Sequence, residues 1–285
     1  MSSPRSYSPV GQCIYCGSRD GLTVEHIVPY SLGGTARLPE ASCRPCAAVT
    51  GAFEQRLTRK MFGSIRVRLN FPTRRPSERP KTVLARDAAT GLEISLNPSE
   101  AVTILPVVHF APPGMFRDPP ERADSYVGAT VEARQMQPDD NSRWPLLGSN
   151  TYTFKQDFDP DALALTLAKI AHACTVAEFG IESFSSFLPP VLLGQQKDIY
   201  TYVGSSPAHI GDPTELHRVQ LHLGHPHYGA KADYLLSVSI CLLSSLGLPT
   251  ALVIVGRANE QWAQREAARY HSNAIGIPEP PPNLA

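Results

Sequence analysis

The sequence predicts an α+β protein in two parts, a small N-terminal module followed by a larger mixed domain. Three observations predict this class. Two Cys-x-x-Cys pairs within the first 46 residues frame a compact unit. Short runs of alternating apolar residues, separated by Pro- and Gly-rich turns, predict strands after residue 81. A long stretch, Pro160–Phe179, carries apolar residues at helical spacing.

The composition is that of a folded protein in a reducing compartment. Apolar residues make up 42% of the 285 residues and charged residues 18%, which is typical of a chain with a sizeable core. The first ten residues contain no apolar run, so we expect no secretory signal and a cytoplasmic location. In that compartment, regular cysteine spacing favours metal binding over disulfides.

One uncharged segment, residues 234–256, is long enough to cross a bilayer. Five Ser and Thr residues interrupt it, and residues 247–249 (Gly-Leu-Pro) form a turn signal near its middle. We therefore expect two buried strands, or a short helix and a strand, joined by a turn. No membrane partner is predicted.

Breaks in composition divide the chain into four parts. Residues 1–62 form the compact module, in which a helix begins near Arg44 and runs toward Met61 with an apolar stripe. Residues 63–81 are a basic connector rich in Pro and Arg. Residues 82–270 form a mixed α+β domain, and residues 271–285 are expected to be an unstructured tail.

The elements outside the module follow from their patterns. In the connector, Ile65, Val67 and Leu69 alternate with polar residues and predict a strand. In the larger domain, Pro160–Phe179 is the clearest helix, and Gly180 is expected to end it. Strands are predicted at residues 82–86, 102–109, 126–133, 199–203, 216–223, 235–242 and 251–255.

Charge is distributed unevenly, although the formal net charge is zero. Residues 1–81 hold 13 Lys or Arg and five Asp or Glu, so they carry +8 and the remainder −8. Nine of the 13 fall in residues 55–81, and such a basic stretch attracts a polyanion. A solvated connector is the alternative. The residues predicted to contact nucleic acid are Arg56, Arg59, Lys60, Arg66, Arg68, Arg74 and Arg75.

Four cysteines, Cys13, Cys16, Cys43 and Cys46, form two Cys-x-x-Cys pairs separated by 26 residues. A tight turn points both sulfurs of a pair at one place, and four thiolates complete a closed tetrahedral zinc site. We therefore predict a structural zinc ion. Because a closed site has no open coordination position, zinc explains how so short a segment folds and not what it does.

Between the two pairs stand Glu25, His26, Pro29 and a Gly33-Gly34 turn, within "EHIVPYSLGG". With "LPEASCRPC" and the helix that follows, this segment resembles the HNH, or ββα-metal, endonuclease family in its zinc-knuckle form. It is most similar to bacterial HNH proteins that read E-H-I-x-P, A-S-C-x-x-C and T-x-x-F-E. The resemblance covers only the N-terminal module.

The resemblance implies a metal-dependent endonuclease that hydrolyses phosphodiester bonds in nucleic acid, with DNA the expected polymer. His26, as neutral imidazole, would take the proton of the attacking water. Glu25 matches the family's acidic position before the histidine, which is usually a metal ligand, and a carboxylate suits Mg²⁺ or Mn²⁺. That ion would neutralise charge on the phosphorane and on the leaving 3′ oxygen.

Two positions depart from the family pattern. Ala47 stands where many members have an Asn or His ligand after the last cysteine, and the family's middle Asn, usually near the end of the Gly-rich loop, is missing, with Arg37 in that stretch instead. Thr50 and Glu54 lie on the same predicted helix face and could supply the missing oxygen. Equally, Glu54 could be a surface residue and Thr50 could bond back to its own helix. With no replacement ligand, the module would be a catalytically disabled scaffold that binds or senses nucleic acid under control of the C-terminal domain.

A histidine-rich run in the larger domain, residues 217–227, is a weak indication of metal binding. His217 and His222 would face opposite sides of a strand because their spacing is odd, so they cannot easily share a metal. His225 and His227 are expected in a turn.

The remaining candidates of the larger domain read as core residues. His172 lies within the predicted helix, where we expect a packing role. Cys174 and Cys241 fall among apolar residues and behave there as small hydrophobic side chains. A Gly-x-Ser-x-Gly elbow, a P-loop and a dinucleotide fingerprint are all absent from the sequence, so no second activity is predicted.

Overall fold

The computed structural model describes residues 6–87, 90–126, 128–137, 152–153, 157–224 and 234–270. Helices and antiparallel strands are both abundant in these residues, which confirms the α+β class. The predicted tail and both His225 and His227 lie outside the described residues.

The N-terminal module has the order strand, strand, helix. Strand β1, Leu22–His26, pairs antiparallel with β2, Arg37–Cys43. Helix α1, Arg44–Gln55, starts directly after β2, with a proline in its first turn where the missing N–H is not needed. A π-helical turn, Arg56–Met61, continues it to the end of the module. The predicted strand pair and helix are therefore present.

The predicted strand around Ile65 is wrong, because helix α2, Gly63–Arg68, occupies this segment. The alternation of apolar and polar residues fits a half-buried strand only if Arg66 faces solvent. In the structure its guanidinium turns inward, where Nε donates to Ser31 O at 2.6 Å and Nη1 to Thr58 O at 2.9 Å. Because Arg66 is polar but points inward to bond backbone carbonyls, the sequence pattern did not show a helical period.

In the residues that the structure describes, the larger domain contains three antiparallel sheets. The main one has the order β10-β11-β12-β8, and β9 also pairs with β12; the others are β4-β3-β7 and the hairpin β5-β6. These strands are β3 Val83–Asp87, β4 Glu93–Leu96, β5 Thr103–His109, β6 Thr130–Met136, β7 Tyr152–Thr153, β8 Phe184–Ser186, β9 Val203–Ser205, β10 Arg218–Gly224, β11 Leu235–Cys241 and β12 Ala251–Ala258.

The helices of the larger domain are α3 Pro160–Phe179, α4 Pro189–Leu192 and α5 Glu260–Tyr270. A 3₁₀ turn, Ile199–Thr201, replaces most of the strand predicted at residues 199–203, because Thr201 N bonds back to Asp198 O and the strand forms only from Val203. Other 3₁₀ turns are Tyr30–Leu32, Pro76–Glu78, Gly114–Phe116, Ile181–Ser183 and Ser244–Leu246.

Helix α3 lies at the centre of the molecule. Asp159 caps its first turn by accepting from Ala162 N at 2.9 Å, and Gly180 ends it with a φ of 83°. The helix contacts α1 of the module as well as β11 and β12 of the main sheet. One apolar cluster consequently runs from the module through α3 into this sheet.

Two segments, Pro160–Phe179 and residues 234–256, are long enough to cross a bilayer. Helix α3 is long and apolar enough to cross a bilayer, but 78% of its most apolar window is buried inside the protein. This is the pattern of a core helix. Residues 234–256 form β11 and β12, joined by a turn in which Gly247 has a φ of 67°. This is the strand pair expected from the sequence.

Candidate active site

The cysteine cluster lies where β2 passes into α1. The sulfurs of Cys13, Cys16, Cys43 and Cys46 all lie within 4.8 Å of one another, and Cys16 Sγ is 3.6 Å from Cys43 Sγ. Four sulfurs bonded at the usual Zn–S length of about 2.3 Å to a tetrahedral ion sit at about this spacing. The cluster therefore fits structural zinc. In the part of the chain that the structure describes, this is the one group of three or more Cys, His, Asp or Glu arranged to hold a metal.

His26 is the last residue of β1 and lies opposite Arg37 of β2. Its ring is half-buried, with its centroid 5.8 Å from that of Tyr30. Burial lowers the pKa of His26, and the nearby cations Lys169, Arg74 and Arg37 lower it further. The imidazole is therefore neutral at pH 7, the form in which it can accept a proton.

The loop after His26 depends on its two glycines. Gly33 ends a 3₁₀ turn with a φ of 89°, a left-handed conformation that other residues seldom adopt. Gly34 is needed for space, since a Cβ there would lie 2.0 Å from Val28 O. The Gly-Gly pair thus fixes the path from His26 back to β2.

Two carboxylates meet behind His26. Glu25 extends from β1 and is 7% exposed, while Glu54 extends from α1. Burial raises the pKa of Glu54, as does the charge of Glu25, although Lys169 opposes the shift. Both carboxylates contact the same side chain, Lys169, so Glu54 is not a simple surface residue.

A buried lysine of the larger domain separates these carboxylates. Lys169, from the middle of α3, places Nζ 2.5 Å from Glu25 Oε1 and 2.9 Å from Glu54 Oε1, and donates to His26 O. Burial alone would lower the pKa of Lys169, but the attraction of the two carboxylates outweighs it and raises the pKa. The side chain is therefore an ammonium ion.

Lys169 was missed by sequence reasoning, although the sequence carries a signal for it. It is the single charged residue between Asp161 and Glu178 in an otherwise apolar helix. A charge at such a position costs several kcal/mol unless it is paired, so its presence indicates buried carboxylates nearby.

The space between Glu25 and Glu54 does not fit a divalent cation while Lys169 is there. Mg²⁺ requires oxygens at about 2.0–2.1 Å, and the Oε1 atom of each carboxylate already contacts the ammonium. Thr50 offers no replacement, since its side chain is buried and its hydroxyl lies 3.5 Å from Ala47 O of its own helix.

The predicted nucleic-acid contacts fall into two groups. Arg74, Arg59 and Lys60 are exposed, and Arg74 is close enough to His26 to affect its pKa. The others have partners within the protein. These are Arg56, paired with Asp159 at 2.9 Å; Arg66, bonded to carbonyls; Arg68, bonded to Ala101 O at 3.2 Å; and Arg75, paired with Glu78 at 3.0 Å.

Three histidines of the larger domain have structural partners. His217 Nε2 is 2.7 Å from Leu32 O in the loop after His26, and His222 Nε2 is 2.9 Å from Ser239 Oγ. His172 is buried in α3 as expected, with Nε2 2.7 Å from Ile14 O. The structure thus ties His217 and His172 to the backbone of the N-terminal module.

Acid should destabilise the protein through His172. Burial lowers its pKa to about 4, from 6.5 in an unfolded chain. Above pH 6.5 both states are neutral; as the pH falls from 6.5 to 4 only the unfolded state takes a proton, so the free energy of unfolding falls by about 3 kcal/mol. Urea unfolding at several pH values should show a slope in this window that is smaller by up to about 1.4 kcal/mol per pH unit in His172→Gln. If the free energy of unfolding of wild type and of His172→Gln changed with pH by the same slope, this expectation would be contradicted.

Comparison with known proteins identifies the class of the module. Residues 13–62 match the family model described as HNH endonuclease. The matched segment contains the cysteine cluster, the hairpin with His26 and all of α1. Comparisons with curated proteins and with solved structures give no match. The chain therefore carries an HNH endonuclease module, and this module supports a nuclease-type function.

Proposed function

We propose that this protein is an HNH-type endonuclease that hydrolyses phosphodiester bonds in nucleic acid, with DNA as its polymer and His26 as its general base. The observation that carries the proposal is the position of His26. It is a half-exposed imidazole with a lowered pKa, beside a buried charge cluster and inside the segment that matches the HNH family.

The chemistry that this position supports is a single displacement at phosphorus. The oxygen of a water molecule attacks the phosphorus atom and its proton passes to His26. The bond to the 3′ oxygen breaks, and this oxygen leaves with the electron pair and takes a proton from solvent. Two exposed arginines, Arg37 and Arg74, act electrostatically on His26 and favour an anionic phosphate at the same place. Mg²⁺ or Mn²⁺, expected from the resemblance, does not fit between Glu25 and Glu54 while Lys169 stands there.

A second candidate is a catalytically disabled HNH scaffold that binds or senses nucleic acid, regulated by the C-terminal domain. Two observations favour it: Ala47 stands at the usual ligand position, and Thr50 is buried against its own helix. The basic surface around Arg59, Lys60 and Arg74 would serve either function.

Nicking of supercoiled plasmid by the zinc-loaded protein separates the two candidates. Wild type should convert the supercoiled form to the open circle, and parallel reactions with RNA test the choice of polymer. Reactions with Mg²⁺, with Mn²⁺ and with a chelator that leaves the zinc content unchanged test the need for a divalent ion. Salt-dependent binding without cleavage of either polymer would instead support the disabled scaffold.

A further inference from the structure

The ammonium group of Lys169 lies among oxygen atoms of the N-terminal module. A lysine ammonium has three N–H groups. Here Glu25 Oε1 lies at 2.5 Å, Glu54 Oε1 at 2.9 Å, and His26 O accepts a hydrogen bond, with Ile27 O further away at 3.4 Å. The group thus joins β1, α1 and the backbone of the predicted catalytic histidine.

This contact is buried and shielded from solvent in the folded protein. The side chain of Lys169 is 1% exposed and that of Glu25 is 8% exposed. Helix α3, which carries Lys169, is itself buried between the module and the main sheet. The ammonium therefore cannot swing into solvent without separation of α3 from the module, and it cannot touch a substrate phosphate.

We propose that Lys169 is the resident cation of the His26 centre: supplied by the larger domain, its ammonium takes the place of a divalent ion between Glu25 and Glu54 and holds the end of β1 on which His26 stands. Lys169 is thus a positioning residue. Calling this site the His26 centre rests on the proposed function. The contact of Lys169 with Glu25 and Glu54 does not depend on that function.

The ammonium of Lys169 reduces both the negative charge and the room that the two carboxylates offer to a divalent cation. Two carboxylates alone would present a charge of −2 to an incoming ion, whereas the pair with Lys169 presents −1. The attraction for a divalent cation falls accordingly, and the ammonium already contacts the Oε1 atom of each carboxylate. The module should therefore bind no Mn²⁺ through Glu25 while α3 is in place.

Mn²⁺ titration followed by electron paramagnetic resonance tests the proposal on the zinc-loaded full chain. Wild type and Glu25→Gln should leave the signal of free Mn²⁺ equally strong. Lys169→Met removes the charge while keeping an unbranched apolar chain, and should bind Mn²⁺ at least about tenfold more tightly than wild type. The double variant with Glu25→Gln should lose that gain. Lys197→Met, at an exposed lysine, is the matched control and should behave as wild type.

Two results would overturn the proposal. One is Mn²⁺ bound by wild type and lost in Glu25→Gln, which would place the ion beside Lys169. The other is a folded Lys169→Met protein with no gain in Mn²⁺ affinity. If Lys169→Met does not fold, the comparison of wild type with Glu25→Gln still decides. Because this assay does not require cleavage, an inactive protein would overturn the proposed function without affecting the inference.

Discussion

Replacing His26 with alanine should lower the rate of plasmid nicking by about 10²–10⁴-fold, the usual contribution of a general base. The loss follows from the neutral imidazole being the group in the centre that can accept the proton of water at pH 7. The ring is half-buried at a strand end and makes no part of the cysteine cluster. Zinc content and the affinity for DNA should therefore be unchanged.

The control variant is His209→Ala, an exposed histidine of the larger domain, which should cleave at the wild-type rate. Unfolding curves and zinc content should be recorded for both variants. Nicking by His26→Ala at the wild-type rate would show that another group takes the proton, and the role assigned to His26 would be wrong.

The pH dependence of nicking gives a second check on His26. A general base works in its deprotonated form, and burial with three nearby cations lowers the pKa of this histidine below 6.5. Activity should therefore stay level from about pH 8 to pH 7 and fall only below the ordinary histidine value. A rate that already falls between pH 8 and pH 7 would point to a different base.

Replacing one zinc ligand, Cys46→Ser, should unfold the N-terminal module and abolish nicking. Structural zinc contributes about 10–16 kcal/mol in zinc-finger peptides, which is comparable with the whole stability of a typical domain, about 5–15 kcal/mol. Here Cys43 lies opposite Leu22 in the hairpin, so loss of the ion loosens β1 and displaces His26. Because the module shares an apolar core with α3, unfolding of the module should also destabilise the larger domain and lower its Tm.

Metal analysis and thermal unfolding check this expectation. Wild type should contain one zinc per chain, and Cys46→Ser should contain much less and melt at a lower temperature. Cys174→Ala, a buried cysteine of α3 outside the cluster, should keep its zinc. A Cys46→Ser protein that lacks zinc but keeps the wild-type Tm would show that the cluster has no structural role.

Local signals accounted for most of the elements. The hairpin, α1 and α3 followed from cysteine spacing, the Gly-Gly turn and helical apolar stripes, which depend on residues near each other in sequence. The prediction for the segment around Ile65 was wrong because its structure depends on residues that are distant in sequence. Its period was hidden by Arg66, whose partners Ser31 and Thr58 are decided by packing.

The sequence by itself determined the zinc cluster, the hairpin that presents Glu25 and His26, and the helix that presents Glu54. These features lie within one short segment, so the local pattern of residues is enough to predict them. Only the tertiary structure decided that Lys169, 143 positions after His26, reaches the same point. An ion pair between distant segments depends on how α3 packs against α1, and no local pattern records which buried carboxylates a lone lysine will meet.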